Sequence, residues 1–137
     1  MSGTFLLKDK IPTDLNRVNS FVEEIAKKIL SLAGSEEEAF KVKLALEEAL
    51  TNAMRHGNSL EAEKLVNVRI EASKEKIVVD VHDEGKGFDF RVLPDPTDKD
   101  YSDRPSGRGI FLMRKLMDTV EFYDAGSGVK MTKLFSS

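Results

Sequence analysis

Residues 47 to 58 read EEALTNAMRHGN, placing two glutamates, an asparagine and a histidine within what reads as one helix that closes on a glycine. Each helical residue turns about 100°, so positions four apart lie on nearly the same face. Glu48 and Asn52 form such a pair. Glu47 points elsewhere and reads as a solvated or ion-paired charge, whereas Glu48 lies at the edge of an apolar stripe through Ala45, Ala49 and Ala53. A carboxylate and an amide oxygen on one face could work as a base and a hard-cation ligand. A charged helix flank would look the same in isolation.

Two further segments carry glycines spaced for close backbone approach. Residues 83 to 89, DEGKGFD, directly follow a strand, and Asp83, Gly85 and Gly87 allow a sharp turn against a flat or anionic ligand. Residues 106 to 113, SGRGIFLM, place Gly107 and Gly109 at a helix start, where backbone N–H groups favour phosphate, with Arg108 adding charge between them. Neither a P-loop nor a strand-linked G-x-G-x-x-G is present.

The elements that must position these groups are legible from periodicity. Leu15, Val18, Val22, Ile25, Ile29 and Leu32 form a helical stripe over Asp14 to Ala33, stopped by Gly34. Ser35 and Glu38 fit a capping box opening a second helix that runs to Gly57. Val66, Val68, Ile70 and Ala72 alternate as a half-buried strand, followed by a strand from Ile77 to His82. A third helix is expected over Ile110 to Met117, then strands Thr119 to Asp124 and Val129 to Phe135 around the turn 125–128. A short strand near Phe5 to Leu7 completes the order β-α-α-β-β-α-β-β. This predicts an α+β fold, a two-layer sandwich with helices on one face of a mostly antiparallel sheet.

Composition bounds the setting. The 137 residues suit one domain, and 40% hydrophobic with 33% charged residues describes a globular chain. No apolar run approaches a membrane span and no signal-peptide core opens the chain, so no membrane association and a cytoplasmic location are expected. With no cysteine and two histidines, a metal would be held mainly by oxygen. A net charge of -3 without a basic cluster argues against direct nucleic-acid binding.

The three segments together, E-x-x-x-N on a helix, D-x-G-x-G after a strand and G-x-G opening a helix, resemble the GHKL (Bergerat-fold) ATPases. Within them, EEALTNAMRHGN and SGRGIFLMRKLMD look most like the bacterial anti-sigma factor serine/threonine kinases, over about Ile11 to Phe135. The resemblance implies ATP and Mg²⁺ as cofactors, with Asn52 as metal ligand and Glu48 as general base. It implies that Asp83 reads the adenine amino group, that Gly85 and Gly87 admit the base, and that Gly107 and Gly109 wrap the phosphates beneath a mobile lid at about 89–106. Thr132 on the last strand is a loose match to a threonine that aids adenine recognition. Where some relatives carry an arginine before the S-G pair this chain has Pro105, so Arg108 or Arg104 would supply the charge for transfer. His56 and Gly57 match the family wording and are expected to shape the helix end, and His82 reads as a strand residue. The implied activity is γ-phosphoryl transfer from ATP to a serine or threonine of an anti-sigma factor antagonist. The implied partners are that antagonist and an RNA polymerase sigma factor, and a homodimer is left open. The alternative is a nucleotide-gated binding switch without transfer.

Overall fold

In the computed structural model, residues 4–85 and 107–135 are described, and of Gly107 and Arg108 only the backbone. Strand β1 (Phe5–Pro12) leads through a 3₁₀ turn (Leu15–Arg17) into helix α1 (Val18–Ala33), and helix α2 (Glu36–Asn52) follows. Strands β2 (Leu65–Ala72) and β3 (Lys76–His82) come next, then helix α3 (Gly107–Leu116), strand β4 (Thr119–Tyr123) and strand β5 (Gly128–Leu134). The sheet order is β1-β2-β3-β5-β4 with every neighbouring pair antiparallel.

The period-two pattern decides which face the helices cover. Val66, Val68, Ile70 and Ala72 of β2, Ile77, Val79 and Val81 of β3, and Val129 and Met131 of β5 are all buried. They meet Val18, Val22, Ile25 and Ile29 of α1, Val42, Leu46 and Leu50 of α2, and Ile110 and Met113 of α3 in one core. Helix α2 packs against both other helices. Its buried small residues, Ala39, Ala45 and Ala49, allow close approach of neighbouring backbone.

Several boundaries differ from expectation for local reasons. Strand β1 runs five residues further than Phe5 to Leu7, because an edge strand tolerates the exposed Lys8-Asp9-Lys10 run that breaks alternation. The first turn of the expected first helix is 3₁₀, with the Asp14 carboxylate accepting from the Asn16 N–H at 3.0 Å. Gly34 closes α1 in the left-handed conformation at φ 68°, its N–H bonding the Leu30 carbonyl at 2.8 Å. The capping box at α2 is half made. Ser35 accepts from the Glu38 N–H at 3.2 Å, but the Glu38 side chain turns inward to Lys133 on β5, Oε1 to Nζ 3.7 Å. The segment joining β4 to β5 is a 3₁₀ turn, Asp124–Gly126, with Asp124 and Ala125 at φ 51° and 57°.

Candidate functional site

Helix α2 does not continue as α to Gly57. It ends at Asn52 and passes into a single π-helical turn, Ala53–Gly57, closed by the Asn58 N–H on the Ala53 carbonyl at 2.8 Å. Such turns insert one extra residue into the helical ladder and recur at functional sites. Two groups of residues meet α2 here, one on either side of that turn.

Beside the last turn of α2, the start of α3 comes against Glu48 and Asn52. A Cβ placed on Gly109 would lie 3.2 Å from Glu48 Oε2 and 3.5 Å from Asn52 Nδ2, so the absence of a side chain there lets the helix start approach both groups. Burial raises the Glu48 carboxyl above its ordinary range, and the neighbouring Glu47 carboxylate adds to the shift. Asn52 Nδ2 is buried without a hydrogen-bond partner among the described residues. The two ends of an amide are nearly isosteric and are told apart only by their partners. Turned over, the same amide would present a carbonyl oxygen, which suits a hard cation such as Mg²⁺. Among the described residues no group of three or more His, Asp or Glu side chains gathers as a metal cage.

Beyond the π-turn, Gly57 packs on the turn that follows β3. Asp83 is 5% exposed, and its Oδ1 accepts from the Gly85 N–H at 2.7 Å. Burial raises the Asp83 carboxyl, opposed by that N–H and by the charges of His82 and Lys64. A Cβ on Gly85 would overlap the Gly57 carbonyl and lie 2.9 Å from Gly57 Cα; one on Gly57 would overlap the Asp83 carboxylate. The two glycines therefore hold the carboxylate against the helix end. The β5 end ties in through the Asp83 N–H, which donates to the Ser127 carbonyl at 2.9 Å.

The structure thus brings Glu48, Asn52 and Gly109 together at one end, and Asp83 and Gly85 at the other. Gly57, expected only to shape a helix end, is a wall of the second group. Thr132 does not join either. It lies on the same face of β5 as the exposed Lys130 and Leu134, opposite the buried Val129 and Met131, and pairs with Val78 near the middle of β3. Arg104, Gly87 and the expected lid lie outside the described residues, as does the side chain of Arg108. His56 is partly buried, and burial followed by the Arg55 charge holds its imidazole pKa below the ordinary value. His82 points to the open face of the sheet, with Nε2 3.0 Å from Asp124 Oδ2.

One residue escaped the sequence reading. Asn58 is fully buried and bonds three separate segments through its side chain. Its position immediately after the His-Gly pair was the available signal.

Residues 11–133 match the family model described as histidine kinase-like ATPase domain. The chain belongs to this family. It is similar to the serine-protein kinase RsbW of Staphylococcus aureus, in the Newman strain and in a bovine strain, at 34% identity over 99 residues; the match covers 66% of this chain and 62% of each relative. The matched segment thus spans less than two thirds of the length of these relatives. A crystal structure of RsbU and RsbW domains from Mycobacterium tuberculosis shares the fold with a TM-score of 0.58 at 12% identity, over 96% of this chain and 32% of that one. The five-stranded antiparallel sheet under three helices is accordingly the histidine kinase-like ATPase fold. Among the described residues no helix is long and apolar enough to cross a membrane.

Proposed function

We propose that the chain is an ATP-dependent serine/threonine protein kinase of the anti-sigma factor type, which phosphorylates an antagonist protein and sequesters a sigma factor. The observation that carries the reading is the convergence of Glu48, Asn52 and Gly109 at one end of a π-turn with Gly57, Asp83 and Gly85 at the other. The similarity to serine-protein kinases supports the kinase class.

In this reading Asp83 accepts the amino proton of adenine, and the glycines beside it admit the flat ring edge. Asn52 holds Mg²⁺ through its amide oxygen, and the metal supplies charge neutralisation on the phosphates when bound. The start of α3, free of a side chain at Gly109, lies against the triphosphate. Glu48 takes the proton of the attacking hydroxyl as its oxygen bonds the γ-phosphorus and ADP leaves. A carboxylate whose pKa is raised by burial is a stronger base than an exposed one, so the environment of Glu48 favours proton abstraction. Arg108 or Arg104 adds positive charge during transfer.

A single-turnover transfer assay tests this, with labelled ATP at saturation and candidate antagonist proteins sought among the neighbouring genes. Glu48→Gln should retain ATP binding while transfer falls roughly 10²- to 10⁴-fold, the usual contribution of a general base. Glu47→Gln should change transfer little. Absence of transfer by the wild type, together with ATP-dependent capture of sigma factor, would replace the kinase by the nucleotide-gated switch.

A further inference from the structure

Asn58 has no part in the chemistry just described, yet it is among the most heavily bonded buried side chains in the described structure. It is 0% exposed. Its Nδ2 donates to Thr13 Oγ1 at 2.9 Å and to the Leu65 carbonyl at 3.1 Å, and its Oδ1 accepts from the Glu84 N–H at 2.8 Å. Thr13 in turn donates to the Lys64 carbonyl at 2.6 Å, and the Glu84 carboxylate accepts from the Leu65 N–H at 2.5 Å. One amide therefore joins the end of β1, the start of β2 and the turn leaving β3, from a position directly after the π-turn.

The bond to Glu84 differs in kind from the other two. Glu84 sits between Asp83 and Gly85, and these two are already linked by the 2.7 Å bond from the Gly85 N–H to the Asp83 carboxylate. Fixing the Glu84 N–H fixes the peptide that carries that loop. Gly57, against which Asp83 and Gly85 lie, is the covalent neighbour of Asn58. The same residue thus sets both sides of the Asp83 pocket, the helix end through its backbone and the turn through its side chain. The donor bonds to Thr13 and Leu65 orient the amide so that its oxygen must face Glu84, which removes the ambiguity an isolated amide would have.

We propose that Asn58 is a positioning residue for nucleotide selection, holding the Asp83 carboxylate in the orientation that accepts from adenine. This rests on the reading of Asp83 as the adenine contact. A residue that only held the fold would lower stability without altering which base is preferred. A positioning residue alters the preference among molecules that remain folded.

The test is calorimetric titration of the folded full chain with Mg-ATP and Mg-GTP, alongside thermal melting, for wild type, Asn58→Ala, Asn58→Asp and Thr13→Val. Asn58→Ala removes the acceptor for the Glu84 N–H and should lower the ATP-over-GTP preference by about tenfold to a hundredfold, the usual effect of losing one buried hydrogen bond at a recognition site. Thr13→Val loosens the same amide from the far side and should lower the melting temperature while leaving the preference within about threefold of wild type. Asn58→Asp keeps an acceptor toward Glu84 but turns its second oxygen on the Leu65 carbonyl and buries a charge, so it should melt well below Thr13→Val, while the preference of its folded molecules stays within about threefold of wild type. Equal preference in wild type and folded Asn58→Ala would overturn the proposal while leaving the nucleotide site standing. Loss of preference in Asn58→Asp equally overturns it, because the acceptor is then not what matters. A wild type that binds ATP and GTP equally removes the Asp83 reading, and this proposal with it.

Discussion

Substituting Gly57 by alanine isolates the contact on which the adenine end of the site depends. The added methyl would overlap the Asp83 carboxylate, lying 2.6 Å from Oδ1 and nearer still to Cγ and Oδ2. The carboxylate is the far end of a side chain, so it can swing aside, but only by giving up the 2.7 Å bond from the Gly85 N–H. Losing a hydrogen bond to a charged acceptor costs about 1.5 to 3 kcal/mol. Against this, Gly57 does not occupy a left-handed conformation, so alanine restricts the unfolded chain and returns about 0.4 to 1 kcal/mol. The lost bond wins, leaving the protein less stable by about 0.5 to 2.6 kcal/mol, or roughly 2 to 10 °C in melting temperature for a domain of this size. Affinity for Mg-ATP should fall by about tenfold to a hundredfold, since the displaced acceptor no longer meets the adenine amino group. Gly34→Ala is the control: its φ of 68° makes alanine destabilising, while nothing lies within 4 Å of the new methyl. Melting curves and calorimetry on both variants check the reasoning. Gly57→Ala protein that melts lower yet binds ATP within threefold of wild type would refute the link between this glycine, Asp83 and the base.

Asn52→Ala should abolish the magnesium-dependent part of ATP binding, because alanine offers no oxygen ligand; calorimetry with and without magnesium reads this, and undiminished magnesium-dependent binding removes Asn52 from the metal site. Glu48→Gln should raise the melting temperature at neutral pH. Burial lifts the Glu48 pKa above 4.5, so the folded state favours the protonated form; that contribution is full below pH 4.5 and is lost as pH rises through the raised value. The variant has no proton to lose, and its advantage in melting scans should vanish toward pH 4; a constant difference across pH would contradict the assignment. Lys133→Met should destabilise by about 1 to 3 kcal/mol, because it leaves the Glu38 carboxylate, whose side chain is 9% exposed, with only the more exposed Lys41 at 4.0 Å, and adding Glu38→Gln should recover much of the loss in denaturant titrations.

Much of the fold was legible because its core obeys simple periods. The stripes of α1 and α2 and the alternation of β2 and β3 needed only one buried face each, and the structure buries those faces. The facing of Thr132 was legible too: counting by twos from Val129 and Met131 puts it on the face away from the helices. Glu38 matched a capping box by spacing alone, but the local pattern could not reveal Lys133 waiting 95 positions later on β5. Asn58 stood next to a motif, but what it bonds was hidden for the same reason, since its partners Thr13 and Glu84 are 45 and 26 residues away. Short motifs name the residues that could meet a ligand; the buried polar groups that aim them are fixed by long-range topology.

The π-turn has a consequence for how the molecule can vary. Asn52 and Gly57 stand on one unbroken piece of backbone, so the separation between these two residues, five positions of helical backbone, is a matter of covalent length. Gly109 reaches the site only through the packing of a separate helix. The site is therefore half ruler and half jaw. Docking of a partner can open or close the α3 side by sliding one helix against another, whereas the spacing of Asn52 and Gly57 answers only to a change in the chain itself. A single residue inserted between Asn52 and Gly57 stretches that span by about 1.5 Å, and no repacking of α3 can restore it.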